Sequence, residues 1–185
     1  GIAEIYTPSD LRYRFVQRKN TNDFSKPTLF LEGLVAARLK SPSPTGLNHI
    51  DHLTNNISIG QFDIWVNYYK RVFQFEVVRT FNIKTGRTGL KSDVVQSTCG
   101  RVKVPINEAT EPESQVQEFV NRMKGAGVQH LALLTTDILD SLKKLRKNDF
   151  KFLTVPHTYY EVVPVRVPGV TENLAELEEH GILLD

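Results

Sequence analysis

The chain has 185 residues, 40% of them hydrophobic, with 23 Lys and Arg against 21 Asp and Glu. That length buries the core of one domain, or of one domain plus part of another, and a net charge of +2 is too mild to imply a nucleic-acid partner. A single cysteine, Cys99, excludes an intramolecular disulfide framework and suits a reducing cytoplasm, while no apolar run has the length of a membrane span.

Residues 1–18 alternate like one or two strands, with Ile5, Tyr13, Phe15 and Val16 as the apolar set, and the polar stretch 19–28 reads as a loop. SPSPTG (41–46) is a linker, so residues 1–45 are assigned to the tail of one domain and 46–185 to a second. The first residues open straight into strand-like alternation, and HGILLD (180–185) stops in an apolar run that has only begun. Both ends therefore read as cut from a longer chain.

Beyond the linker, LNHIDHLTNNI (47–57) predicts a strand, and Phe62, Trp65, Val66, Tyr69 and Phe73 fall at helical spacing. Three strands follow at 75–83, 89–97 and 101–107, separated by Gly- and Thr-containing turns. A short helix is expected from an N-cap at Ser114 to Met123. VQHLALLT (128–135) reads as a buried strand. TDILDSLKKLRKN (136–148) reads as a capped helix with Ile138, Leu142 and Leu145 on one face and the basic run 143–151 as its wet side. A last strand is expected at 150–155.

Two segments start alike. His52 opens HLTNN and precedes Phe75 by 23 residues, with a helix between them; His130 opens HLALLT and precedes Phe152 by 22, again across a helix. This is an internal repeat of a strand–helix–strand unit with a histidine early in each first strand. Period-2 alternation puts His130 on one face with Val128, Ala132 and Leu134, and His52 with Ile50 and Thr54, so two equivalent strands in one sheet would aim both imidazoles into a common interior. His49 has the opposite parity and is the poorer ligand. An isolated histidine in such a strand is more often a core residue bonded to a carbonyl, and the repeat shifts the balance. Two histidines with a carboxylate and open positions form the facial triad of non-haem iron(II) enzymes.

The stretches IDHLTNNI, WVNYYKRVFQF, FNIKTGRTGLKS, KVPINEATEPESQVQEFV, GAGVQHLALLTTDI, TYYE and LEEHGILLD together resemble the catalytic half of the 4-hydroxyphenylpyruvate dioxygenase family, from about residue 47 to the end. That family belongs to the vicinal-oxygen-chelate superfamily. The resemblance implies an α+β fold of βαβββ modules closing into a curved half-open barrel, with the second module incomplete. It implies His52 and His130 as two of three iron(II) ligands, and Ser92, Pro105, Asn107, Gln115 and Gln129 as residues lining or supporting the substrate pocket. Strict alternation points Gln129 away from the His130 face. The family's third ligand is a glutamate on a late strand, and none of Glu108, Glu111, Glu161 or Glu172 stands in its context. The implied reaction converts 4-hydroxyphenylpyruvate and O2 to homogentisate and CO2, in a cytoplasmic homo-oligomer (dimer or tetramer) that binds neither nucleic acid nor membrane. Two alternatives remain open: a hydroxymandelate synthase, and a non-catalytic binding paralogue of the same fold.

Overall fold

The computed structural model describes residues 1–17, 44–85 and 88–184. The predicted loop at 19–28 and the first half of the 41–46 linker lie outside the described residues. The elements in chain order are β1 (Ile2–Tyr6), β2 (Arg12–Val16), β3 (Leu47–Ile57), α1 (Phe62–Phe73), β4 (Glu76–Thr85), β5 (Thr88–Gln96), β6 (Lys103–Ala109), α2 (Gln115–Met123), β7 (Gly127–Thr135), α3 (Ile138–Lys147), α4 (His157–Arg166) and α5 (Leu174–His180). The described residues form two compact units, 1–17 with 50–133 and 44–49 with 134–184.

In the first unit, β1 and β2 pair as an antiparallel hairpin, and the remaining strands form one sheet in the order β4-β5-β6-β3-β7. The β4–β5–β6 meander is antiparallel, whereas β3 returns parallel to β6 after the α1 crossover. Strand–helix–strand–strand–strand is one βαβββ module, and β7 beside β3 begins the next. The helix α1 forms because Phe62, Trp65, Val66 and Tyr69 make a buried stripe at helical spacing. That stripe packs on Ile57, Val95, Val104 and Ile106 of the sheet. Each such side chain removed from water contributes about 1.5–3 kcal/mol. No side chain within the helix caps its start; the Glu108 carboxylate, from β6, accepts the backbone N–H groups of Gln61 and Phe62, each at 2.8 Å.

Register then fixes what the other face of the sheet carries. Asn56 of β3 lies opposite Asn107, which lies opposite Ser92, which lies opposite Phe81. One rung along, Pro105 faces Val94 and Val94 faces Arg79. A bulge between Val77 and Arg79 sets this parity on β4, re-aiming Arg79, Phe81 and Ile83 to the face opposite α1.

The second unit is held by Tyr160, Leu177 and Ile182, with Leu139, Leu142 and Val155 packed against them. The Tyr160 hydroxyl donates to the Ile182 carbonyl at 2.9 Å, and the Arg146 guanidinium donates to the His180 carbonyl at 2.8 Å. Three expectations are corrected. Residues 150–155 form no strand: Leu153 is 94% exposed, and no strand among the described residues pairs with the segment, without which an alternating pattern does not make a strand. Helix α3, with helices rather than a sheet to pack on, turns Leu139 and Leu142 inward and leaves Ile138 exposed. Finally, β7 is the edge strand of its sheet and not a buried one; Val128, Leu131, Leu133 and Leu134 stand exposed along it. The helix from Ser114 is as expected, with the Ser114 hydroxyl accepting from the Gln117 N–H at 3.2 Å.

Candidate metal centre

Adjacent strands β3 and β7 bring His52 and His130 together, with ring centres 5.6 Å apart and ring planes at 75°. Two imidazoles that share a metal through nitrogens about 2.1 Å from it have ring centres about 4.5–6 Å apart, so the spacing of this pair suits one shared ion. Their hydrogen bonds settle which nitrogen each can offer. His52 Nδ1 meets Asp51 Oδ2 at 2.9 Å, and His130 Nδ1 meets Gln129 Oε1. An oxygen acceptor at Nδ1 requires the proton there, which leaves the Nε2 lone pair as the ligand in both rings. On His130 that lone pair accepts from the buried Thr54 hydroxyl at 3.0 Å.

The surroundings of His130 favour its neutral form. Partial desolvation first, and the nearby His52 second, hold the pKa of His130 below the ordinary histidine value. Asp51 accepts from His52 and, at 2.7 Å, from the Lys103 ammonium, and these two bonds keep its carboxyl below the usual carboxylate range. A deprotonated imidazole is the state a metal requires.

A cavity of about 540 Å³ opens beside His52, lined by Asp51, Arg79, Phe81, Val94, Lys103 and Pro105 among others. Of the residues expected around a substrate, Pro105 lines it directly. Ser92 and Asn107 sit abreast on the next rung of the same sheet face; the Asn107 amide donates to Asn56 at 3.4 Å. Gln115, the first residue of α2, lines a separate cavity of about 520 Å³ with Ile83, Gly89 and Leu90. Ile83 and Leu90 are the rung beyond Phe81 and Ser92, so the two cavities follow one another along the same face. Gln129 does not line the cavity beside His52; despite its opposite parity it bends back to its neighbour His130.

Among the described residues no group of three His, Cys, Asp or Glu side chains converges as a complete metal site. Glu108 caps α1, and Glu111 accepts from the Gly89 N–H at 2.7 Å, so neither reaches the histidines. The donor set present fits two positions of a facial triad. Sequence reasoning missed Asp51, Thr54, Arg79 and Lys103. For Asp51 a signal was there: both repeat histidines are preceded by a residue with a side-chain carbonyl or carboxylate oxygen.

The arrangement defines a βαβββ protein with a pair of neighbouring histidines, one of which lines a cavity on the sheet face. The chain belongs to the Glyoxalase/Bleomycin resistance protein/Dioxygenase superfamily, whose family profile matches residues 46–162. It is 42% identical over 185 residues to a 4-hydroxyphenylpyruvate dioxygenase of Pseudomonas aeruginosa, covering 100% of this chain and 46% of that protein. Against the enzyme of the same name from Dictyostelium discoideum it is 40% identical over 199 aligned positions, covering 100% of this chain and 53% of the relative. The chain thus spans about half the length of the curated relatives it matches. A mutant of 4-hydroxymandelate synthase from Streptomyces coelicolor superposes with a TM-score of 0.66 at 23% identity, over 74% of this chain and 39% of the other, which establishes likeness of fold. No helix among the described residues is long and apolar enough to cross a membrane.

Proposed function

We propose that this chain carries the two-histidine part of the iron(II) site of a 4-hydroxyphenylpyruvate dioxygenase, with residues 46–185 belonging to the catalytic domain and 1–45 to the tail of the domain before it. The observation that carries this reading is the pair of imidazoles on one sheet face, each with Nδ1 engaged and Nε2 left as the ligand. Its support is the 42% identity, across the whole chain, to a relative of that name. A third, anionic ligand would come from outside the described residues. The implied setting is a cytoplasmic homo-oligomer that acts on a small molecule.

Iron(II), when bound, would supply Lewis-acid and redox chemistry to a keto acid and O2. The chain's own residues do the rest. His52 and His130 hold the ion and, as neutral donors, leave its charge available to an anionic substrate. With Lys103 offset by Asp51, Arg79 leaves the cavity lining net positive, which favours entry of a carboxylate. Phe81 and Pro105 give an aromatic ring apolar walls. Ser92, Asn107 and Gln115 offer neutral donors and acceptors further along the face, so they can orient a phenol without competing for the metal.

The test is a chimera in which residues 46–185 replace the matching span of the Pseudomonas aeruginosa relative. Homogentisate formed from 4-hydroxyphenylpyruvate, and lost on His52→Ala or His130→Ala, is the expected outcome. 4-Hydroxymandelate as the product would move the assignment to a hydroxymandelate synthase. A folded chimera that makes neither product would overturn the reading.

A further inference from the structure

Successive side chains on a strand normally point to opposite faces, yet Asp51 and His52 meet each other and line the same cavity. Both lie within β3, short of its pairing with β6 through Asn55, Asn56 and Ile57. Both oxygens of Asp51 are committed: Oδ2 to His52 Nδ1 at 2.9 Å, and Oδ1 to Lys103 Nζ at 2.7 Å. Lys103 belongs to β6, so the carboxylate is tied to a second strand as well as to its own.

We infer that Asp51 is a positioning residue for the metal site: anchored by Lys103, it holds His52 in the Nδ1–H tautomer and turns Nε2 toward the cavity. The inference rests on the metal reading above for its purpose, but not for its geometry. Free imidazole exchanges its proton between the two nitrogens, and only one of the two forms presents a lone pair at Nε2. A carboxylate beside Nδ1 selects that form and fixes the ring plane. It also makes the ring a stronger donor than its counterpart His130, whose Nδ1 is served by the neutral Gln129. Asp51 is not itself the missing carboxylate ligand. It sits against the Nδ1 edge of the ring, and a metal on Nε2 lies beyond the opposite edge.

Two readouts on the 185-residue chain test this. The first is the tautomer of His52, read from its ring nitrogens by 15N NMR at mildly alkaline pH without metal. The second is Co(II) affinity by titration, with backbone amide spectra verifying that each variant is folded. Wild-type protein should show Nδ1–H at His52. Asp51→Ala should release the tautomer and raise the Kd for Co(II) about 10–100-fold, the range for losing a partner behind a metal ligand. Asp51→Asn, which keeps the shape, leaves one acceptor oxygen for two donors and should raise Kd several-fold. A wild-type His52 in the Nε2–H form, or both variants with tautomer and affinity unchanged, overturns the inference. Should wild-type protein take up no Co(II) while the tautomer responds to substitution, the positioning role stands and the metal reading fails.

Discussion

His52 and His130 stand with ring centres 5.6 Å apart, on strands that open two copies of one strand–helix unit. A histidine serving only as core polarity would bury itself and bond a backbone carbonyl. Neither does so: each Nδ1 is held by the side chain of the preceding residue, Asp51 or Gln129. The nitrogen left to accept a metal in each ring is therefore Nε2.

It follows that His52→Ala and His130→Ala should each weaken Co(II) or Fe(II) binding by at least about a hundredfold, since each removes half of the imidazole donors this chain supplies. Thermal stability should change by no more than about 1 kcal/mol, because neither ring belongs to a packed core. Equilibrium titration beside a melting curve checks both. An unaltered affinity in either variant would leave that residue as an ordinary polar side chain.

Glu108 should act on stability alone. Its carboxylate takes the first two N–H groups at the start of α1, a helix whose own residues provide no side-chain cap. Glu108→Ala should therefore cost about 2 kcal/mol, seen as a lower urea midpoint at constant m, with metal affinity unchanged. A fall in metal affinity without loss of stability would make Glu108 a ligand after all.

The contrast between these residues marks what the sequence made legible. The histidines could be found because a repeat placed them, and the first module could be drawn because Trp65, Tyr69 and the alternating strands announce their periods. Glu108 could not be understood, because its partner at Gln61 is distant in the chain and only the β6–α1 packing joins them. Residues 150–155 have a strand's pattern without a strand's neighbour, and pattern says nothing about whether an edge is available. Gln129 defeated the parity rule for a similar reason. The rule describes Cβ directions, whereas a long amide side chain can fold back along its own strand to the next residue's ring.

A buried cluster on the α1 side of the sheet should govern behaviour in alkali. The Asn55 amide donates to Tyr13 Oη at 2.8 Å and to Tyr69 Oη at 2.9 Å, and the two hydroxyls also meet each other. Burial is the largest cause raising both tyrosine pKa values, and for Tyr69 the neighbouring Tyr13 adds to it. With the folded values above the unfolded one near 10, the unfolded chain loses these protons first. The stabilisation is therefore complete below about pH 10 and is lost as pH rises toward the folded values. Tyr69→Phe should flatten that alkaline slope by about 1.4 kcal/mol per pH unit, while costing about 1–2 kcal/mol at neutral pH because the buried Asn55 amide loses one of its two acceptors. Urea midpoints measured from neutral pH to above pH 10 check the sign; an unchanged slope would mean that Tyr69 titrates normally.

Thr54 occupies the place on His130 that a metal would need. Its hydroxyl, on a residue only 1% exposed, donates to Nε2 at 3.0 Å, so the ring can take a metal there only if this bond breaks. Thr54→Val keeps the shape and removes the competitor. In a buried setting the loss of one hydrogen bond and the gain of an apolar methyl nearly offset each other, and stability should stay within about 1 kcal/mol of wild type. Metal affinity should then rise by what the broken bond was worth, about 1 kcal/mol, or roughly fivefold in Kd. Gln129→Ala should move affinity the other way by about tenfold, because Gln129 holds the nitrogen that keeps Nε2 free of a proton. Opposite signs for two residues on the same ring are what a ligand with one occupied and one supported nitrogen requires. Co(II) titrations of the two variants give those signs directly, and a loss of affinity in Thr54→Val would mean that the hydroxyl orients His130 and does not compete for it.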